Sequence, residues 1–456
     1  MKAAFVIFAI VGLAGSCTKS VNMCQSDSDC TNPAYPFCDV DGQYPASGGV
    51  KNTCTIVPPD CPVARCGCTP GATTCAMNTL TICNADGMSD TMTTCDVGCE
   101  TDGTACKTFA PSNALGPSLQ SAAGLPALLI PDGATINTDT GVVTAMDGTI
   151  VHDGSVSSVV TSGSSMIRVF AAPTLTLQSV KIVGTIPIAF VAGDTLDIEG
   201  LVDASAHGSA AGPGAAGSAD ACNGGRALDF SCSIACMDPG AGGAGNALAG
   251  GTGGPIGGTA AIGGVGEVGF SLVGGCAGGS EFFGGTLEAI GGAGGGAVQF
   301  VAGTSITLNG IVSLGGGGGT ANAQGASSSG GGSGGVIVFE APKVSIGSSG
   351  GIAANGGGGG GCGVAGGDGT PDGVAAPGGS GSDCNEELWG GSGGIATSET
   401  TDLNAGGNMT GTVSGTYGGG GGSVGRARIA TFDGTFMQDP SAIMSVVVTS
   451  DMLQTQ

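Results

Sequence analysis

The sequence predicts a mainly β protein: a right-handed parallel β-helix with long glycine-rich insertions, preceded by a small disulfide-rich, loop-dominated domain. Three observations carry this expectation. A motif of short apolar strands repeats beyond residue 128, glycine (96 of 456 residues) is concentrated between its copies, and 12 of the 19 cysteines crowd between Cys24 and Cys106.

The chain opens with Lys2 and an apolar run from Ala3 to about Ala14, then Gly15, Ser16 and Cys17. Residues 1–16 therefore form an export signal, too short to span a bilayer. Ala14 and Ser16 satisfy the small-x-small rule of ordinary signal cleavage, while Leu13-Ala14-Gly15-Ser16-Cys17 is similar to a bacterial lipobox with its leucine one place early. Parity helps to choose, because setting Cys17 aside leaves 18 cysteines in clusters of 12, 4 and 2. In an oxidising compartment every one of those has a local partner available. Lipidation of Cys17 is the expectation, and several acyl chains hold firmly where one holds weakly. Without it the protein is simply secreted.

Residues 17–107 contain two cysteine modules: Cys24, Cys30, Cys38 and Cys54 in 24–54, then Cys61, Cys66, Cys68, Cys75, Cys83, Cys95, Cys99 and Cys106 in 61–106. Large apolar residues are few, so disulfides take the place of a conventional core. A stapled spacer and a small ligand-binding module are both compatible with this composition, and the connectivity is open. Zinc is disfavoured: Cys66-Gly67-Cys68 and the Cys95 to Cys99 pair are closely spaced, yet the module has no histidine and follows an export signal.

Residues 108–127, with Pro111, Pro117 and Pro126 among Ser, Ala and Gly, read as a linker to a domain over 128–456. There FVAGDTLDIEGLVDA from Phe190 aligns without a gap on FVAGTSITLNGIVSL from Phe300, and FAAPTLTL from Phe170 and FEAPKVSI from Phe339 are variant copies. Each copy sketches a strand, a bend, a strand, a glycine turn and a strand. Alternation at Leu196 and Ile198, Ile306 and Leu308, and Val344 and Ile346 places one face inside, leaving Asp197, Thr307 and Ser345 outside. The 20 residues from Phe170 to Phe190 suit one turn of a three-sided coil, and a last turn is expected near Arg428 to Phe432.

Insertions of roughly Ser205 to Gly296, Gly315 to Gly335 and Gly356 to Gly422 fall at the corners of such a coil, where stacked strands are undisturbed. Cys222, Cys232, Cys236 and Cys276 lie in the first insertion, and Cys362 and Cys384 in the last, so local disulfides are expected there. Runs such as Gly315 to Gly319 are either disordered or packed as extended strands with bare backbones in close approach. Partial order is the expectation.

The opening Cys24-Gln25-Ser26-Asp27-Ser28-Asp29-Cys30 and the block GGSGGVIVFEAPKVSI resemble those of glycine-rich, predicted β-helical surface lipoproteins of Gram-negative bacteria. The resemblance implies a place on the outer membrane or cell surface, and no reaction.

With 35 acidic against 11 basic residues and a net charge of -24, the chain lacks the clustered Lys and Arg that nucleic-acid binding needs. Asp194, Asp197, Glu199 and Asp203 are the candidate acidic cluster, a calcium site by oxygen ligation or the carboxylates of a carbohydrate-active enzyme. The bland alternative is a solvated acidic strand, since the aligned copy has Thr304, Thr307, Asn309 and Ser313. His152 and His207 are the two histidines, little material for a hydrolase triad. Phosphate-loop spacing is missing, and Gly366-Gly367-Asp368-Gly369 lacks the repeated Asp of a calcium-binding nonapeptide. Trp389 contacts glycan if exposed, or anchors its loop if buried.

The composite expectation is a surface protein for adhesion or envelope structure, with no catalytic residues and no cofactor beyond calcium. Its partners are envelope or extracellular polysaccharide or other surface proteins, and it meets the membrane only through an N-terminal lipid. The alternative is a lyase- or hydrolase-like β-helical enzyme or a glycan-binding protein.

Overall fold

The computed structural model describes residues 24–32, 37–40, 51–55, 68–69, 71–84, 90–95, 98–100, 102–216, 222–226, 239–254, 261–265, 271–283, 286–321, 328–361, 363–380, 389–395 and 418–455. The protein is mainly β and divides into two compact units, Met1–Lys107 and Thr108–Gln456. Among the described residues no helix is long and apolar enough to cross a membrane.

In the first unit, disulfides join Cys24 to Cys38, Cys30 to Cys54, Cys68 to Cys83, Cys75 to Cys99 and Cys95 to Cys106. Each stays within its own module, as local pairing requires. Cys61 and Cys66 lie outside the described residues. The strands are short: Phe37–Asp39 pairs with Thr53–Thr55, and Thr73–Ala76, Thr79–Cys83 and Asp90–Thr94 form a three-stranded antiparallel sheet. Cys24, Phe37 and Cys38 are buried, so cystine supplies much of the small core. The acidic opening of this unit has a local cause, since the Asp29 carboxylate accepts the N–H groups of Gln25 and Ser26 at 2.8 and 2.9 Å and closes the turn before Cys30.

The second unit is organised by three sheets of seven, six and eight strands, here called I, II and III. From Ser165 onward the chain visits them in a constant order. Strand Ile188–Ala192 lies in sheet I, Thr195–Ile198 in II and Val202–Asp203 in III; Ala297–Ala302, Ser305–Leu308 and Ile311–Ser313 then repeat the circuit. Each strand pairs in parallel with its equivalent in the next circuit. Equivalent residues therefore stack: Phe170, Phe190, Phe300 and Phe339 are in register, with ring centroids 5.9, 5.6 and 5.1 Å apart. All four rings are buried, and Leu196, Ile306 and Val344 stack likewise in sheet II. The period of two seen in the sequence is thus the inward half of each strand. The inner strands of sheet I are buried on both faces, which is why Ile188–Ala192 and the stretch Val336 to Phe339 read as continuous apolar runs.

Two expectations need correction, the linker and the last turn. Residues 108–127 are not a spacer but part of the second unit. Phe109 bridges Thr455, Leu115 and Ala122 are buried, and helix α1 (Gly116–Ala122) packs on the first two parallel strands of sheet I. The composition suggested a linker because only these few apolar residues anchor it. The expected domain start at residue 128 coincides with the strands Leu128–Ile130 and Ala134–Asn137, which precede the aromatic repeat and are followed by antiparallel pairs that the repeat could not reveal. At the other end, the strand Arg426–Thr431 is not the last: Val447–Met452 pairs with it in parallel.

Every long insertion leaves sheet III and returns to sheet I, so the glycine segments emerge at one corner. They are packed, not open. In Gly356–Gly361 the N–H groups of Gly356 and Gly359 donate to Gly394 and Gly391, those of Gly357 and Gly360 to Gly332 and Ser329, and those of Gly358 and Gly361 to Gly367 and Val364, all at 2.8–3.0 Å. Residues three apart thus share a neighbour, the signature of an extended helix with three residues per turn. Such a helix makes no internal hydrogen bonds, so each turn offers donors to three surrounding chains. The same rule holds elsewhere: Ala241 and Ala244 donate to Ser328 and Gly331, Gly242 and Gly245 to Gly225 and Cys222, and Gly251 and Gly254 to Gly421 and Gly418.

At the most crowded positions only glycine fits. A Cβ built on Gly357 would overlap the Gly317 carbonyl oxygen, and one on Gly359 the Gly419 carbonyl oxygen. The Cα hydrogens therefore sit against carbonyls, adding weak contacts to the N–H bonds. The disulfide Cys222–Cys276 packs with Ala244 inside this layer. Closing its 54-residue separation restricts the unfolded chain by about 4 kcal/mol in the chain-entropy model. Ordering so much glycine is costly in entropy, and the hydrogen bonds and this cross-link oppose that cost. Cys232, Cys236, Cys362 and Cys384 lie outside the described residues.

Candidate functional site

Sheet II presents the outward row that holds the expected acidic site. Thr176, Asp197, Thr307 and Ser345 are in register along it, each half-buried between strands that point Leu, Ile and Val inward. Asp203 belongs to sheet III, where it pairs with Lys181 on one side and Ser313 on the other. Asp194 and Glu199 occupy the corners before and after the sheet II strand. The four carboxylates do not converge: among the described residues no three of them bring ligand atoms within 4.8 Å of one another. The calcium expectation is corrected on that geometry, because the chain turns a corner between Asp197 in sheet II and Asp203 in sheet III and so puts them on different sides of the circuit.

The groups whose ligand atoms do lie within 4.8 Å are Cys24, Cys30 and Cys54; Cys75, Cys95 and Cys99; and Cys68, Cys83 and Asp90. Their sulfurs are already joined in disulfides and offer no thiolate to zinc.

A polar cluster that the repeat did not announce sits where the glycine segments leave sheet III. Asp368 Oδ1 accepts the N–H groups of Gly208 and Gly318, each at 2.8 Å. Ser205 Oγ lies 2.9 Å from Ser313 Oγ and accepts the Gly315 N–H at 3.0 Å. Asn355 Nδ2 donates to the Thr370 and Asp372 carbonyls at 2.8 Å, and its Oδ1 accepts from the Ser445 hydroxyl. These side chains supply hydrogen-bond partners where a glycine segment has no further segment beside it. Asp368, unexplained as part of a calcium repeat, is accounted for by this role.

His207 stands beside the cluster, its Nδ1 3.5 Å from Asp368 Oδ2 and its Nε2 3.8 Å from Asp203 Oδ2. The ring is 51% exposed, so these contacts are weak. Ser205 Oγ is engaged with Ser313 and Gly315, and no nucleophile is paired with this histidine among the described residues. Nearby Ala204 and Ala206 are fully buried, so the segment around this histidine is packed.

A partly buried charge network lies on the outer side of sheet I. Glu340, 3% exposed, meets Arg428 Nη1 at 2.9 Å and accepts from Gln299 Nε2 at 2.7 Å and the Ser112 N–H at 2.9 Å. Arg428 Nε also reaches Asp451 at 2.8 Å. The network ties the segment before α1 to the sheet. Truncating Arg428 to alanine leaves Glu340 desolvated with its neutral donors only, and is expected to cost about 2 kcal/mol. Urea denaturation of Arg428→Ala measures it.

The exposed aspartates of the turns share one chemistry. Asp147, Asp153, Asp433 and Asp439 each accept the hydroxyl and the N–H of the Ser or Thr two residues on, and Asp139 accepts both from Thr185. These hydrogen bonds hold all five carboxyls below the usual aspartate value, the hydroxyl bond being the largest cause. A carboxyl depressed on folding stabilises the fold above its unfolded pKa, and that contribution is lost as pH falls through the folded value. Thermal midpoints are therefore expected to stay level from neutral pH to about 4.5 and to fall below about 4, where aspartate ordinarily titrates. A midpoint that rises on acidification contradicts this.

Trp389 is 38% exposed at the start of a glycine segment whose next residue bonds to Gly379. It is not the buried anchor that one of the two sequence expectations required. Cys17 lies outside the described residues. No family model, curated protein or solved structure matches the chain.

Proposed function

We propose that this is a secreted or outer-surface-anchored protein of structural and adhesive function, whose body is a right-handed parallel β-helix carrying a glycine-built second layer. The observation that carries the reading is the use to which polar groups are put. Asp368, Ser205 and Asn355 satisfy backbone donors and acceptors, the turn aspartates fold their own loops, and Glu340 fastens the segment before α1. An enzyme needs an acid, a base or a metal converging on one groove. Three observations support the β-helix: the fixed I, II, III order, the parallel register between circuits and the stacked phenylalanines. The right hand follows from the near-universal handedness of parallel crossovers. Disulfides in both units support an oxidising compartment.

Attachment through Cys17, and a kinship with Gram-negative surface lipoproteins, belong to the same proposal. Mass spectrometry of the mature N-terminus tests it. Diacylglycerol on Cys17 is the expected result, and an unmodified cysteine would leave a secreted protein without an anchor.

Glycan binding is a second reading, favoured by the exposed indole of Trp389. Trp389→Ala is expected to lower retention on a polysaccharide array by about tenfold, roughly the loss of one aromatic contact. Unchanged retention, or none in the native protein, removes this reading.

A further inference from the structure

We propose that Cys75, Cys95, Cys99 and Cys106 form a single exchange centre, in which an external low-molecular-weight thiol converts the pairs Cys75–Cys99 and Cys95–Cys106 into Cys75–Cys95 and Cys99–Cys106. Four cysteines admit three pairings. The structure holds one of them and brings the partners of a second close together.

The inner half of that second pairing is a contact between the two disulfides. Cys75 Sγ and Cys95 Sγ lie 3.3 Å apart, although each is bonded elsewhere. Cys75 stands inside the strand Thr73–Ala76, and Cys95 follows Asp90–Thr94 with its N–H given to Asn78 at 2.8 Å, so the sheet holds the two sulfurs together. The outer half is a cross-strand pair. Cys99 and Cys106 face each other in an antiparallel bridge, flanked by the hydrogen bonds from Glu100 N–H to Ala105 and from Lys107 N–H to Gly98. That makes them a non-hydrogen-bonded pair, with Cα atoms about 4.5 Å apart, within the range that a disulfide spans.

Accessibility gives the exchange its order. Cys75 and Cys95 are 9% and 2% exposed, whereas Cys99 and Cys106 are more open. An entering thiolate therefore attacks an outer sulfur. At Cys106 it forms a mixed disulfide and breaks the bond to Cys95, which leaves as the thiolate. Cys95 then attacks Cys75, forming Cys75–Cys95 and releasing Cys99 as the thiolate. Cys99 attacks Cys106, forming Cys99–Cys106 and returning the external thiol. Each step makes one S–S bond and breaks one, so the thiol is a catalyst and nothing is oxidised or reduced overall. The second and third steps are intramolecular and outpace a fresh encounter with thiol. In the starting pairing both disulfides tie the segment from Cys99 to Cys106 to the sheet. In the product one disulfide closes that segment on itself, leaving it held to the sheet by hydrogen bonds such as Cys75 N–H to Gly103 at 2.6 Å. Cys68–Cys83 serves as the internal control. The third ligand atom beside it is the Asp90 carboxylate, which offers no disulfide to attack and repels an incoming thiolate.

Mass-spectrometric mapping of the non-reduced full chain, after incubation with substoichiometric glutathione near the ordinary thiol pKa of about 8.5 and an acid quench, tests the proposal. Peptides joined by Cys75–Cys95 and by Cys99–Cys106 are expected to appear together, in equal amounts, at least about tenfold faster than any change at Cys68–Cys83. Cys106→Ser makes the entering thiol unnecessary, since it leaves Cys95 without its partner from the start. In that variant the map should show Cys75–Cys95, with Cys99 as the cysteine that N-ethylmaleimide labels, because a thiolate is better solvated at Cys99 than at buried Cys95. If Cys106→Ser does not fold, the native map alone decides. A native map that glutathione leaves unchanged, or a folded Cys106→Ser protein that keeps Cys75–Cys99, overturns the proposal.

Discussion

Replacing Gly357 with alanine is expected to cost about 3 kcal/mol or more, an unusual loss for adding one methyl group. The methyl would overlap the Gly317 carbonyl oxygen, and that carbonyl belongs to a backbone fixed by its own hydrogen bonds on both sides. A side chain could swing away; a hydrogen-bonded peptide cannot. Neighbouring positions share the problem, since a Cβ on Gly356, Gly358, Gly359 or Gly360 would meet the carbonyl oxygen of Gly422, Pro377, Gly419 or Thr320. An alanine scan of Gly356–Gly360 should thus find no tolerant position. This differs from collagen, where only every third residue lies at the crowded axis. Gly373 is the control, with nothing near its Cβ position, and Gly373→Ala should be neutral or slightly stabilising. Denaturant midpoints of the six variants decide it. A scan in which Gly356–Gly360 tolerate alanine as Gly373 does would mean that the glycine layer is not packed.

Phe300→Ala is expected to lower stability by about 4 kcal/mol, the usual cost of emptying a large buried aromatic site. Phe300 has a ring on each side, Phe190 at 5.6 Å and Phe339 at 5.1 Å, and none of the three is more than 1% exposed. The strands around the cavity are paired on both edges, so they have little freedom to collapse into it. Phe300→Leu keeps most of the volume and should cost about 1 kcal/mol. The double variant Phe190→Ala with Phe300→Ala should depart from additivity, since the two rings touch. Additive losses would place them in separate environments.

Much of the second unit was legible in the sequence because stacking is a translation. A geometry that places residue upon equivalent residue demands a repeated pattern, and Phe190 and Phe300 align without a gap because their strands pair without a shift. Phe170 and Phe339 were found for the same reason. The opening strands Leu128–Ile130 and Ala134–Asn137 were not, because the sheet I member of their circuit is an antiparallel pair without the aromatic marker. The segment before α1 was mistaken for a linker because its hold depends on Ser112 and Asn113 meeting Glu340 and Gln299 about two hundred residues away.

The glycine layer shows a different limit. Composition located the insertions, but the rule that residues three apart share a neighbour lies in hydrogen bonds between distant segments, and an unbroken run of glycine carries no phase. The polar residues that finish this layer, Ser205, Asn355 and Asp368, look in sequence like interruptions of a glycine tract. Asp197 and Asp203 looked like a site because they are close along the chain, and they part because the chain turns a corner between them.

Backbone amide exchange of the glycine segments goes most directly to the idea on which all of this depends, that glycine here builds a second core beside the apolar one. Gly330–Gly332, Gly356–Gly360, Gly419, Gly420 and Gly422 should exchange as slowly as the strands of sheet I, since their N–H groups are buried and bonded. Exchange of these amides at the rate of an unstructured chain, while the sheet strands stay protected, would contradict it.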